Sequence, residues 1–166
     1  MVDRPSPAGI VAAATAHGVT IATAESLTAG LVAAAIADAP GASAVLRGGV
    51  VSYHSDIKAS LLGVEPALLA ARGSVDPDVA RAMAVGARRA CGATIGVSTT
   101  GVAGPDPHDG QPVGRVYVGW ESPWGAGVDE FDFLGTRGEI RRAACEAALA
   151  AVELALRGAS EGPAVS

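Results

Sequence analysis

The pattern of apolar and polar positions along the chain switches repeatedly between helical and extended periods. Residues 19–24 form a nearly continuous run of small and β-branched residues, which is typical of a strand covered on both faces. Between such runs, apolar residues recur every three or four positions, as on one face of a helix. The pattern predicts helices over 8–17, 27–39, 56–62, 66–71, 74–91 and 137–157, and strands over 19–24, 45–53, 94–99, 115–121 and 128–134.

The order of these elements predicts an α/β fold. Helices separate the first three strands, as in a parallel sheet, whereas 115–121 and 128–134 flank a turn over 122–127 and predict an antiparallel pair. We therefore expect a three-layer α/β/α sandwich with a mixed parallel/antiparallel sheet. The 166 residues fit one domain over 1–166, with a core over about 8–157 and a flexible tail over 158–166.

Composition excludes several classes of protein. Apolar residues make up 49% of the chain, which is enough for a buried core. The net charge of −5 argues against a nucleic-acid binder that depends on phosphate neutralisation. Cys91 and Cys145 lie far apart and in helix-like runs, so neither a disulfide scaffold nor a metal site is predicted.

The lengths and positions of the apolar runs predict where in the cell the protein is located. Residues 1–7 have no cationic region followed by an apolar one, as a secretory signal would. The longest apolar runs, such as 31–37, fall far below the roughly 20 residues that a membrane span needs. We expect a cytoplasmic protein without a membrane partner. Ala-rich helices and exposed sheet edges favour a homo-oligomer, with the number of subunits left open.

The first candidate for chemistry is Ser26, which follows the strand over 19–24 directly. Ligands of open α/β sheets gather at the carboxyl ends of strands. Ser26 is either the N-cap of the next helix or a nucleophile on a tight strand-to-helix turn, and position alone favours the cap.

A second candidate is the segment of Tyr53 and Lys58 after the strand over 45–53. A lysine there is usually a solvated surface charge, but a desolvated amine could serve as a base at neutral pH. A tyrosine at such a place is more often a partly buried core residue.

Two further segments could bind an anion or a carboxamide. The loop over 98–105 carries Thr100, Gly101 and Gly104 at a strand end, where backbone amides can approach a ligand closely. Arg137 and Arg141 lie four residues apart and therefore on one helix face, although cations at a helix start oppose the helix dipole. Either they bind an anion such as a phosphate or they form a solvated face.

Together these segments resemble the CinA C-terminal domain family, the nicotinamide mononucleotide amidohydrolases, also called nicotinamide-nucleotide deamidases. The matching stretches are TAESLTAGLVAAAIADAPGASAVLRGGVVSYHSDIKASLLGV, GSVDPDVARAMAVGARRACGATIGVSTTGVAGP, PVGRVYV and FLGTRGEIRRAACEAAL. The likeness runs from about Thr23 to about Leu156. Many members carry a further N-terminal domain that resembles molybdopterin-binding proteins, and this chain is similar to the stand-alone form.

The resemblance implies hydrolysis of the carboxamide of nicotinamide mononucleotide, a small-molecule nucleotide, to the nicotinate nucleotide and ammonia, with no metal or cofactor. It makes Ser26 the nucleophile, and we hypothesise that Lys58 is the base that removes its proton. Tyr53 would orient the lysine or relay a proton, and the amides of Leu27 and Thr28, with Thr100 or Gly101, would hold the oxyanion. The expected substrate-binding residues are Glu25, Leu27, Thr28, Gly49, Gly101, Gly104, Arg137 and Arg141.

Two departures from the family pattern bear on activity. The usual motif reads Ala-Glu-Ser-Cys-Thr-Gly-Gly, and here Leu27 replaces the Cys and Ala29 the first Gly. A bulky Leu27 is expected to narrow the pocket and Ala29 to stiffen the turn. The Gly-rich segment after Gly104 is replaced by the acidic loop 106–110. The alternative function is therefore a pyridine-nucleotide-binding module that has lost turnover.

Overall fold

A five-stranded mixed sheet forms the centre of the protein, whose computed structural model describes residues 4–161. The strands are β1 (Ile21–Glu25), β2 (Leu46–Val51), β3 (Ile95–Gly101), β4 (Arg115–Ser122) and β5 (Gly125–Asp132). The α-helices are α1 (Pro7–His17), α2 (Leu31–Ala37), α3 (Ser55–Leu62), α4 (Pro66–Arg72), α5 (Pro77–Cys91) and α6 (Arg137–Glu161), and a short 3₁₀ turn covers Ala42–Ala44.

The strand order is β2-β1-β3-β4-β5, and the sheet is parallel on one side and antiparallel on the other. Strand β1 pairs in parallel with both β2 and β3, so that Ala24 lies beside Val50 and Ser98. Strands β4 and β5 extend the sheet as an antiparallel hairpin. The carboxyl ends of β1, β2 and β3 therefore meet at one edge, where ligands of α/β proteins bind.

Helices cover both faces of the sheet, which confirms the predicted three-layer α/β/α sandwich. One face packs against α1, α2 and α6 through side chains such as Ile10, Val32 and Ile140. The opposite face packs against α3 and α5, with Leu62 and Met83 in its core. Every residue of β1 is buried, as its apolar run predicts.

Glycines allow α5 to lie unusually close to its neighbours. A Cβ at Gly86 would collide with the backbone carbonyl of Leu62 at the end of α3. In the same way, Gly96 on β3 and Gly119 on β4 leave room for the backbone of α5. Since Lys58 lies on α3, the contact at Gly86 also fixes the height of Lys58 above the sheet.

Two helix boundaries differ from the predicted ones by four residues. Helix α2 begins at Leu31 and not at residue 27, because Ala29 and Gly30 adopt left-handed backbone conformations, with φ of 48° and 100°. Helix α6 continues through residues 158–161, so the predicted tail is wrong there, and the tail residues 162–166 lie outside the described part. The extension packs against Trp124, whose indole Nε1 donates a 2.7 Å hydrogen bond to the carbonyl of Ala155.

Of the helices within residues 4–161, none has the length and apolarity to span a bilayer.

Substituting Gly86→Ala is expected to lower the free energy of unfolding by about 1–3 kcal/mol, because the added methyl group has no room beside Leu62. Urea denaturation measures the loss. Gly9→Ala in α1 is the matched control, since its Cβ would lie at an ordinary 3.5 Å from Ser6. It should leave stability unchanged or raise it, as alanine favours helices. Equal stability of both variants would contradict the close-packing argument.

Candidate active site

The carboxyl ends of the three parallel strands bring the predicted segments together around one cleft of about 220 Å³. Ser26 follows β1, Tyr53 follows β2, and the loop from Gly101 to Gly104 follows β3. The cleft is lined by Ser26, Leu27, Tyr53, Ser74, Val75, Gly101, Val102, Ala103, Gly104, Asp106, His108 and Arg137.

A buried lysine contacts the Ser26 hydroxyl. Lys58 on α3 is only 1% exposed, so it is not a solvated surface charge. Its Nζ donates a 2.6 Å hydrogen bond to the backbone carbonyl of Ser52 and a 3.1 Å hydrogen bond to Ser26 Oγ. The carbonyl fixes the amine at the end of β2, and the amine in turn faces the hydroxyl at the end of β1.

Burial changes the proton affinity of this amine. It lowers the pKa of Lys58 from 10.5 to about 8, while the negative charge of Asp109 opposes the shift. A neutral amine is therefore accessible near physiological pH, which suits a general base. Lys58 is also the single lysine of the chain, whose other eleven basic residues are arginines.

Ser26 sits on a turn and does not cap a helix. The N-cap of α2 is Gly30, four residues further on, and the Ser26 backbone N–H donates to the carbonyl of Thr99. The capping alternative for Ser26 is therefore wrong. Glu25 performs that task instead, because its two carboxylate oxygens accept the amides of Val32 and Ala33 at 2.8 and 3.1 Å.

Arg141 holds the turn from the other side. Its guanidinium donates to the carbonyl oxygens of Leu27 and Thr28 at 2.8 and 3.2 Å. In a trans peptide the N–H points opposite to the C=O, so the Thr28 amide points away from Arg141. Within residues 4–161 the Leu27 and Thr28 amides have no hydrogen-bond acceptor, which leaves both available to an anion.

Arg137 and Tyr53 form the rim of the cleft. The Arg137 guanidinium donates to the Tyr53 hydroxyl at 2.7 Å and to the carbonyl of Gly104 at 2.5 Å. Tyr53 is 56% exposed, so it is not the partly buried core residue that is commonest at such a place. The hypothesis that Tyr53 orients Lys58 needs correction, since the carbonyl of Ser52 does this and Tyr53 binds the arginine.

Comparison with known proteins establishes the family of the chain. Residues 4–156 match the family model described as the CinA C-terminal domain. The chain belongs to this family. It is 48% identical over 139 residues, 84% of its length, to a "CinA-like protein" of Frankia casuarinae, and 47% identical over 152 residues, 91% of its length, to a "CinA-like protein" of Anaeromyxobacter sp.. These alignments cover 32% and 37% of the relatives, so the chain spans about a third of their length.

Two solved structures share the CinA-domain fold. One is the crystal structure of the competence/damage inducible protein CihA from Agrobacterium tumefaciens, with a TM-score of 0.86, 34% identity, and 95% of this chain and 99% of that chain covered. The other is a CinA superfamily protein from Klebsiella pneumoniae 700603, with a TM-score of 0.87, 29% identity, and 91% and 95% covered.

Besides Lys58 and Arg141, whose contacts are described above, four residues predicted for this CinA-domain site lie outside the lining of the cleft. Glu25 and Thr28 are buried, the latter with its hydroxyl 2.8 Å from that of Thr99. Gly49 lies within β2, where a side chain would collide with Thr23 Oγ1. Thr100 is also buried, and its hydroxyl donates to the Ser74 carbonyl. These residues support the cleft and do not line it, whereas the backbone amide of Thr28 stays available to an anion.

Several other residues that line the cleft were not predicted from the sequence as site residues. Ser74 precedes α5 without any local signal, and Asp106 and His108 belong to the loop noted only as a departure from the family pattern. Leu27 lines the cleft but is 4% exposed and packs in the hydrophobic core. Much of its bulk therefore fills the core, which limits the expected narrowing of the pocket.

The lowered pKa of Lys58 predicts a pH-dependent difference between the wild type and Lys58→Met. Between pH 8 and 10.5 the unfolded chain holds a proton on Lys58 that the folded chain has released, so the wild type gains stability as pH rises. Relative to Lys58→Met, its free energy of unfolding should rise by about 1.4 kcal/mol per pH unit there and stay level below pH 8. Urea titrations of both proteins cancel all shared ionisations. A difference that stays constant up to pH 10.5 would contradict the lowered pKa.

Proposed function

We propose that this CinA domain hydrolyses the carboxamide of nicotinamide mononucleotide to nicotinate mononucleotide and ammonia. The observation that carries the proposal is the buried Lys58 amine, 3.1 Å from Ser26 Oγ at the edge of a cleft. The family resemblance supports the substrate, and an arginine at the rim suits its phosphate.

The first half-reaction forms an acyl-enzyme. Neutral Lys58 takes the proton of Ser26 Oγ while the oxygen attacks the carboxamide carbon, giving a tetrahedral oxyanion. The lysine then returns this proton to the amide nitrogen. The C–N bond breaks, ammonia leaves, and the nicotinoyl group remains as an ester on Ser26.

The second half-reaction reverses these roles. Water replaces ammonia in the cleft and gives one proton to Lys58 as its oxygen attacks the ester carbon. Collapse of the second tetrahedral intermediate returns the proton to Ser26 Oγ and releases the carboxylic acid, which loses its remaining proton to solvent and becomes the carboxylate. The Ser52 carbonyl keeps its hydrogen bond to the amine throughout, which leaves the nitrogen lone pair for Ser26 or water.

The turn after β1 supplies the donors for the oxyanion. The Leu27 and Thr28 amides are the best candidates because they lack acceptors within the described chain and adjoin the nucleophile. They belong to the turn 26–30 and not to the start of α2, which corrects the sequence-based expectation. Arg141 fixes the peptide plane that contains the Thr28 amide, because its guanidinium binds the carbonyl of Leu27 in that same plane.

Arg137 is the phosphate ligand in this proposal. Arg137 lines the cleft and is exposed, whereas Arg141 is not among the lining residues and is only partly exposed. A guanidinium can bind phosphate oxygens with two parallel hydrogen bonds. The predicted cytoplasmic location and self-association stay predictions.

Ser26→Ala tests the nucleophile. It should abolish ammonia release from nicotinamide mononucleotide while equilibrium binding changes little, since the nucleotide contacts remain. Ammonia release and calorimetric binding are measured on the same preparation. Near-normal turnover would remove Ser26 from this role. Binding by the wild type with no ammonia release would favour the alternative, a pyridine-nucleotide-binding module without turnover.

The two arginines of α6 should give different kinetic defects. Arg137→Gln is expected to raise KM for nicotinamide mononucleotide roughly tenfold or more, through loss of charge-assisted hydrogen bonds to phosphate. It should hardly affect nicotinamide riboside, which has no phosphate. Arg141→Gln should instead lower kcat for both compounds, because the turn beside Ser26 loses its clamp. Equal effects of Arg137→Gln on the two substrates would contradict the assignment.

A further inference from the structure

Asp109 connects the loop between β3 and β4 to the floor of the cleft. Its Oδ2 accepts a 2.7 Å hydrogen bond from the Ser74 backbone N–H and a 2.5 Å hydrogen bond from Ser74 Oγ. Its backbone is left-handed, with φ of 48°, a conformation that aspartate tolerates better than most residues. The carboxylate also lies against Gly73, where a Cβ would approach Asp109 Cβ to 3.1 Å.

Ser74 transmits this anchor to the site. It lines the cleft, and its carbonyl oxygen accepts the hydrogen bond of the Thr100 hydroxyl at 2.5 Å. A continuous chain of hydrogen bonds thus runs from Asp109 through Ser74 to the end of β3. The same loop carries Asp106 and His108 into the cleft wall, so the position of both depends on this anchor.

The charge of Asp109 reaches the lysine as well. Hydrogen bonds from Ser74 lower the pKa of Asp109, so it is ionised at neutral pH, and its charge raises the pKa of Lys58 against the effect of burial. The other ionisable groups on α3 and the surrounding elements include Glu25 on β1, Asp56 on α3, Asp76, Asp78 and Arg89 at α5, Asp106 and His108 in the loop, and Arg137 and Arg141 on α6.

We propose that Asp109 is a positioning residue of the site: its two hydrogen bonds fix Ser74 and the wall of the cleft, and its anchored carboxylate adds a negative charge to the surroundings of the Lys58 amine. The family pattern has a Gly-rich segment in place of the loop 106–110, so the hydrogen bonds of Asp109 are a feature of the loop of this chain. The role of Lys58 in this proposal rests on the function proposed above, whereas the experiment that tests the proposal does not depend on that function.

The test uses the fact that the chain has a single lysine. Protein labelled with ¹³C-lysine gives one side-chain ε-carbon signal, whose pH titration reports Lys58 without any substrate. Asp109→Asn keeps an oxygen that can accept both Ser74 hydrogen bonds and tolerates the left-handed backbone, but it removes the charge. The titration midpoint of Lys58 should fall by roughly 0.5 pH unit.

Asp106→Asn is the matched control, because it removes the same charge from the same loop without a bond to Ser74. Its Lys58 midpoint should equal that of the wild type. An unchanged midpoint in Asp109→Asn, or equal shifts in both variants, would overturn the proposal. Because this measurement needs no turnover, it stands whether or not the protein is an amidase.

Enzyme kinetics distinguish the hydrogen bonds of Asp109 to Ser74 from the effect of its charge. If ammonia release is established, Asp109→Ala should raise KM several-fold, since both hydrogen bonds to Ser74 are lost. Asp109→Asn should have the KM of the wild type. Its kcat/KM should begin to rise at a lower pH than that of the wild type. Identical KM values for the two variants would overturn the anchoring role.

Discussion

The burial of one ammonium group is the constraint on which the site depends. Within residues 4–161 no carboxylate contacts Lys58, and its hydrogen bonds go to the Ser52 carbonyl and the Ser26 hydroxyl. A full charge in such surroundings is poorly solvated, so burial lowers the pKa of Lys58 to about 8 and brings the neutral amine within reach. A buried amine with a perturbed pKa beside a cleft is the mark of a candidate functional site.

The surrounding elements act as supports for this amine and its hydroxyl partner. Glu25 closes the start of α2, and Arg141 holds the carbonyls of the intervening turn, so the Ser26 turn is fixed at both ends. Gly86 lets α5 approach α3 and sets the depth of Lys58. Ser26 follows a strand of the sheet and Lys58 belongs to a helix packed beside it, so their separation of 3.1 Å depends on the packing of the two layers.

Much of the fold and the central pair could be predicted from the sequence because they follow from local pattern and strand polarity. Parallel strands place their carboxyl ends together, which brings Ser26 and Lys58 into one region. The start of α2 could not be predicted, since a left-handed Ala29 contradicts the residue's own preference and is imposed by the turn. The hydrogen-bond partners of Tyr53 and Ser74 could not be predicted either, because Arg137 and Asp109 lie 84 and 35 residues away along the chain.

The composition of the basic residues has a consequence for covalent chemistry on the protein. Guanidinium groups resist acylation, and the one lysine side chain is enclosed beside Ser26. Reactive acyl donors in solution therefore find no lysine on the surface, and the sole side-chain amine is a buried one that adjoins the hydroxyl of Ser26 in the cleft lining. Acylation of a side-chain amine would therefore report on access to this one buried group.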